Sequence, residues 1–299
     1  MKSPIVVCGA TGNVGRRIVE ALLAAGEPVR VIGRERVRLG PLAARGADPL
    51  PGDLEDTAFL ESAFSGARAA FVLIPPKLHA PDLRRYQNKV SDAIVSALAK
   101  AKVPRVVTLS SIGAHLPEGT GPILGLHDLE EKLAGLPAAA VHLRPGYFHE
   151  NHLWSIPAIR SQGVNIGALR PEAPIPMVAT EDIASEASRL LLRDSFSGRE
   201  VRYLLGPKDY TMSEVTRILG KSIGTPALQY IPAAEEDMRR AMTGMGMSRS
   251  VVEAMLEMYR GFNAGKIRPT RERGPESTTP TTLEDFAESV FAPAYRAAA

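Results

Sequence analysis

Gly9-Ala10-Thr11-Gly12-Asn13-Val14-Gly15 sets glycines in a GxxGxxG spacing between an apolar run, 5–8, and a segment of helical period. Those residue types at that spacing suit a phosphate. The first glycine allows a tight turn, the second lets backbone approach the anion, and the third lets the following helix pack close to the strand. The helix N-terminus turns its free N–H groups and the positive end of its dipole toward the same anion, so Thr11, Asn13 and Val14 join the glycines in the expected binding set. Arg34 follows the second apolar run, where an NAD site would place Asp or Glu on the ribose 2′-hydroxyl. A guanidinium there suits a 2′-phosphate instead, and the expected ligand is NADP(H). Arg16 adds positive charge beside the glycines, whereas Arg36 and Arg38 read as a solvated helix face.

Further candidates stand at the ends of later apolar runs. Gly52-Asp53-Leu54 closes the third, where the adenine edge would lie, and Asp53 serves equally as a cap for a helix beginning near Glu55. Ile74 and Pro75 end the fourth beside the expected path of ribose and nicotinamide, unless the proline only stops the strand. Ser110 and Ser111 end the fifth. A hydroxyl there is expected against the nicotinamide ribose or a substrate oxygen, Ser110 counted with the cofactor-binding set and Ser111 with the catalytic candidates, and a strand-end cap is the plainer reading. Tyr147 and Phe148 read as walls of a substrate pocket, and Asn151 as a group that orients nicotinamide or substrate. His127 and Tyr147 are the candidates to supply a proton; for His127 the plainer reading is an exposed residue at a helix N-terminus. His149 and His152 do not form a zinc motif, which needs histidines at i and i+4 of one helix, and no metal is expected. Methionines at 238, 242, 245, 247, 255 and 258 pack a core or lid, or else wall an apolar substrate pocket.

Such groups converge only if strand ends are brought together. Between 5 and 145, short apolar runs alternate with longer segments of helical period, the pattern of βαβ units and a parallel sheet. Strands are expected at 5–9, 28–33, 47–51, 69–75, 105–111 and 139–144, most of them rich in Val, Ile and Leu as strands covered on both faces are. Val14, Ile18 and Leu22 make the stripe of a sheet-packing helix that Gly26 stops, and 82–101 reads as a longer helix facing Val90, Ile94 and Leu98 inward. The expected fold class is α/β, a Rossmann doubly wound parallel sheet over 1–150 with a smaller mixed C-terminal substrate lobe over 151–299. The run 201–205 is expected to return to the main sheet. Capping boxes are read at Thr211-Met212-Ser213-Glu214 and Thr281-Thr282-Leu283-Glu284.

A chain of 299 residues has no need of a stapled mini-scaffold and can build one large core with an attached lobe. With 36 Lys plus Arg against 33 Asp plus Glu, interleaved, the charge gives no reason to expect a nucleic-acid partner. Cys8, the single cysteine, lies in an apolar run without a disulfide partner, which fits a reducing compartment. No segment reaches the roughly 18 to 20 apolar residues of a membrane span. The expectation is a cytoplasmic protein, monomer or homodimer, that takes a small-molecule substrate and uses no membrane.

The glycine motif, Arg34, Gly52-Asp53-Leu54, Ser110-Ser111-Ile112-Gly113, the stretch from Arg144 through Asn151, and Thr282-Leu283-Glu284-Asp285-Phe286 together resemble the NmrA-like branch of the atypical short-chain dehydrogenases, over nearly the whole chain. Within that branch the chain is similar to the NADPH-dependent quinone oxidoreductases, whose His-x-x-x-Glu has its counterpart in His127 and Glu131. The resemblance implies a Rossmann domain, a cleft against a substrate lobe, and NADP(H) as cofactor. It also implies two kinds of protein, active reductases and regulators that bind the dinucleotide without turning it over.

Short-chain dehydrogenases that reduce ketones use Tyr-x-x-x-Lys, the tyrosine protonating the alkoxide that hydride transfer creates. Here the partner positions of Tyr86, Tyr147, Tyr203, Tyr210, Tyr230 and Tyr259 are Val90, Asn151, Pro207, Glu214, Ala234 and Asn263, so the pair is absent. A reduced quinone is a far weaker base than an alkoxide. Quinones or similar conjugated carbonyls are therefore the expected acceptors, with a redox sensor acting through protein partners as the alternative. A sugar-nucleotide epimerase is disfavoured, since that chemistry also uses the tyrosine and lysine.

Overall fold

The computed structural model describes residues 2–193 and 196–298. Its architecture follows from the first strand, β1 (Ile5–Cys8), in which every residue is buried. Ile5 and Val7 pack on one side with Val14, Ile18 and Leu22, while Val6 and Cys8 pack on the other with Val90, Ile94 and Leu98. A strand apolar on both faces needs cover on both.

β2 (Val29–Gly33), β3 (Asp48–Pro51), β4 (Ala69–Val72), β5 (Arg105–Leu109) and β6 (Ala139–Pro145) continue the pattern through the first half of the chain. The second half adds β7 (Tyr147–Phe148), β8 (Val164–Gly167), β9 (Ile175–Val178), β10 (Arg199–Leu204), β11 (Asp209–Tyr210) and β12 (Gln229–Pro232). The main sheet has seven parallel strands in the order β10-β6-β5-β4-β1-β2-β3. The expected return of the chain is β10, which pairs with β6 from Arg199↔Ala140 to Leu204↔Pro145.

One face of the sheet is covered by α1 (Asn13–Ala24), α2 (Arg36–Ala43) and, later in the chain, α7 (Thr180–Leu192). The other is covered by α3 (Thr57–Phe64), α4 (Leu83–Ala101) and α5 (Leu124–Ala134). α4 begins where its cap dictates: Asp82 accepts from the Arg85 N–H at 2.9 Å. Strand order reverses between β1 and β4, so a crevice opens at their carboxyl ends, the usual ligand position in a doubly wound sheet.

The lobe is built from α6 (Ile156–Gln162), α8 (Met212–Ser222), α9 (Glu235–Gly244) and α10 (Arg249–Asn263), with a mixed sheet β11-β9-β7 and the pair β12-β8. Met177, Tyr210, Val215, Leu219, Phe286 and Phe291 fill its core.

Thr211 and Glu214 form the expected capping box. The second box lies one residue later than expected, between Thr282 and Asp285. Thr281 is drawn away by α7: its N–H and hydroxyl both donate to the Asp182 carboxylate, at 3.1 and 2.9 Å.

Candidate active site

Gly9 takes φ +64°, a conformation that disfavours a side chain, and a Cβ there would also press on Leu73 at 3.0 Å. The turn closes with the Gly12 N–H donating to the Gly9 carbonyl at 3.0 Å. Gly15 is the tightest point, where a Cβ would sit 2.3 Å from that same carbonyl oxygen. Gly12 carries no side-chain cap, so the N-terminal N–H groups of α1 stay available. Gly12 and Asn13 are exposed and Thr11 half-buried, while the Val14 side chain is in the core and leaves only its backbone for a ligand.

Arg34 is exposed just past β2 and makes no ion pair or hydrogen bond among the described residues. Arg38 pairs with Glu35 at 3.7 Å and Arg36 is exposed, as a solvated helix face requires. Asp53 closes a turn by accepting from the Glu55 N–H at 3.0 Å. The cap of the next helix is Asp56 rather than Asp53, accepting from Phe59 N–H at 3.0 Å. Leu54 is buried in the core.

β4 and β5 end earlier than expected, at Val72 and Leu109, and the residues just beyond them open a cavity of about 390 Å³. Ile74, Pro75, Ser110 and Ser111 line it from the sheet side; Tyr147, Phe148 and Asn151 line it from the lobe side. Val251, Met255, Met258 and Phe262 of α10 roof it, a contribution that only the two methionines foreshadowed. The other methionines divide: Met242 is buried beside Val252 and Leu256, with Met238 and Met247 packed against them, while Met245 is exposed. α10 is tied over the sheet domain by the Ser248 N–H to Leu78 carbonyl bond at 2.9 Å and the Leu83 N–H to Ser250 Oγ bond at 2.9 Å. Gly121, at φ +57°, lets it approach, since a Cβ there would stand 1.9 Å from the Ala254 carbonyl oxygen. Among the described residues no carboxylate or imidazole lines the cavity, and Lys77 at its edge pairs with Glu55 at 2.6 Å.

Behind Ser110 runs a polar chain that sequence reasoning missed. Ser110 Oγ donates to Glu130, which is held by Arg144 through Nε at 3.0 Å and Nη2 at 2.5 Å. Arg144 reaches Tyr203 Oη at 3.4 Å, and that hydroxyl meets Thr270 Oγ1 at 2.9 Å. Burial works against the Arg144 charge, but the hydrogen bonds and charge of Glu130 outweigh it and hold the pKa above its ordinary value. Glu130 is buried and Glu131 exposed, so the inward carboxylate on α5 is not the one paired with His127 by motif. His127 is also absent from the cavity wall; its Nδ1 is hydrogen-bonded with the Ala114 carbonyl at 2.8 Å.

Tyr147 lines the cavity with its phenol pKa pushed well up, by burial first and by Tyr259 and Tyr230 next, with Asn151 pulling the other way. His149 and His152 are buried and neutral, lowered by burial to about 4 and about 3. Their rings lie against Tyr210 and Phe286 in one case and Tyr147 in the other. Among the described residues there is no cluster able to hold a metal, and no helix is long and apolar enough to cross a membrane.

Comparison with known proteins fits this frame. The sequence profile of the NmrA-like family matches residues 1–287. An NAD(P)H azoreductase of Xenophilus azovorans is 30% identical over 257 residues, 85% of this chain and 86% of that protein. Quinone oxidoreductase 2 of Escherichia coli (strain K12) is 27% identical over 271 residues, 88% and 89% of the two chains. The crystal structure of an NADPH-dependent quinone oxidoreductase from Escherichia coli, complexed with NADPH, superposes with a TM-score of 0.74 at 23% identity, covering 96% of this chain and 99% of that one.

Proposed function

Because the chain belongs to the NmrA-like family, we propose that it is an NADPH-dependent reductase whose acceptor is an uncharged conjugated molecule, a quinone or similar carbonyl. The observation that carries this reading is the cavity beside the switch point, on its β4 and β5 side. It is apolar, it is open to the carboxyl ends of β4 and β5, and no acid or imidazole among the described residues lines it.

NADPH when bound supplies the hydride. The protein's own part is positioning: the Gly9 turn and the N-terminus of α1 would hold the pyrophosphate, and Arg34 would hold the 2′-phosphate. Ser110, Ser111, Asn151 and Phe148 would border the nicotinamide and the acceptor, and residues of α10 roof the same space. A phenol as far raised as Tyr147 is a poor proton source and a serviceable hydrogen-bond donor. That suits an acceptor whose reduced form is a weak base. Azo compounds, the substrate class named for the Xenophilus relative, fit the same demand and belong in the test.

A panel of quinones, azo dyes and simple ketones assayed with NADPH and NADH tests the proposal. Quinone or azo reduction with NADPH, and no ketone reduction, supports it. Tight NADPH binding without turnover of any acceptor would instead favour a cofactor-responsive regulator, the reading to which the missing Tyr-x-x-x-Lys pair also points.

A further inference from the structure

Ser110 and Ser111 both line the cavity, but they are not chemically equivalent. The buried Ser110 donates its one hydroxyl hydrogen to Glu130. Glu130 receives two parallel N–H bonds from Arg144, at 3.0 and 2.5 Å, the fork geometry of an ionised carboxylate that has no hydrogen to give back. Only the lone pairs of Ser110 are left for a ligand. Ser111 is half-buried and its hydroxyl is bonded to no described group, so its hydrogen is free to be donated. Two neighbouring hydroxyls thus present opposite polarity, one acceptor and one donor.

We propose that Glu130, anchored by Arg144, is a positioning residue that fixes Ser110 as an acceptor for an N–H or O–H on the nicotinamide half of the dinucleotide, leaving Ser111 to serve the acceptor substrate's oxygen. A quinone oxygen offers lone pairs only, and set against the lone pairs of Ser110 it is repelled. A carboxamide N–H or a ribose hydroxyl is attracted. The inference rests on the reading of this cleft as a dinucleotide site, and it concerns binding, so it does not require turnover.

Calorimetric binding of two probes tests it: NADPH, and adenosine 2′,5′-bisphosphate, which lacks the nicotinamide half. Ser110→Ala and Glu130→Leu, which leaves the Ser110 hydroxyl no acceptor on α5, are each expected to weaken NADPH about tenfold, the worth of one hydrogen bond, with the bisphosphate unchanged. Ser110→Thr, which keeps the acceptor, restores wild-type NADPH binding. Glu130→Leu leaves a buried guanidinium short of its counter-charge, so the double variant Glu130→Leu/Arg144→Leu, free of that charge, is measured beside it with the same expectation. Wild-type NADPH affinity in Ser110→Ala overturns the proposal, and so does an equal loss of both probes. A wild-type chain that binds neither probe overturns the dinucleotide reading itself and this proposal with it.

Discussion

Gly15 lies against Gly9 so closely that an added Cβ would meet the Gly9 carbonyl carbon at 2.8 Å as well as its oxygen at 2.3 Å. Backbone faces backbone here, and neither side yields without moving β1 or α1. Gly15→Ala is expected to cost about 1–3 kcal/mol, the range of an overpacked core, and to abolish cofactor binding. Gly12→Ala meets the same oxygen at an ordinary 3.4 Å with φ −85°, so it keeps the wild-type Tm and loses affinity alone. Thermal unfolding of the two variants checks the contrast, and equal Tm losses would contradict it.

Arg34→Ala tests cofactor choice. A charge-assisted hydrogen bond to phosphate is worth about 1.5–3 kcal/mol, so NADPH binding is expected to weaken about tenfold to a hundredfold. NADH has no 2′-phosphate and its affinity stays level. Equal losses for the two cofactors would mean that Arg34 does not read the phosphate.

Tyr147→Phe addresses the proton. A general acid contributes about 10²–10⁴ in rate, and the raised Tyr147 phenol is not suited to that task. The variant is expected to keep kcat for a quinone within about tenfold of wild type. His127→Asn, outside the cavity wall, is expected to do the same. A hundredfold fall in either would identify the proton donor and refute this assignment.

His149 and His152 give stability a pH dependence. An unfolded histidine titrates near 6.5, whereas burial lowers these two to about 4 and about 3, with the His149 charge a second cause for His152. As pH falls below 6.5 the unfolded chain binds protons that the folded chain refuses, so stability is lost down to about pH 4 for His149 and about pH 3 for His152, at about 1.4 kcal/mol per unit of depression. Glu150, raised by burial against the Thr180 hydrogen bonds, works in the opposite direction as it protonates. His149→Phe keeps a ring against Tyr210 and Phe286 and removes one of the depressed sites, a set to which His115 and His142, also lowered by burial, belong. Urea unfolding at about pH 7 and about pH 4.5 should show a smaller loss in the variant; an equal loss would contradict this origin.

What could be read before folding was local. The Gly9 turn is legible because each glycine answers a demand made within a few residues, and the strand ends follow from apolar runs and prolines. Glu130 was not legible: one residue along a helix turns a side chain by about 100°, and only the docking of α5 decides that Glu130, not Glu131, faces inward. Thr281 and Thr282 pose the same problem, since each has an acid at the capping distance. The choice falls to Asp182 on α7, distant in sequence. The roof over the cavity is likewise tertiary, for α10 is reached only after the chain has returned to the sheet through β10.

The proposed reaction is hydride delivery from NADPH bound beside the switch point to a conjugated acceptor in the cavity that Ser110 and Tyr147 line. A single-turnover experiment tests it most directly: the protein loaded with NADPH is mixed with a benzoquinone, and the reduced-nicotinamide absorbance is followed. The expected result is decay faster than that of free NADPH with the same quinone, slowed by deuterium at the transferred position. Bound NADPH that decays no faster than the free cofactor would contradict it.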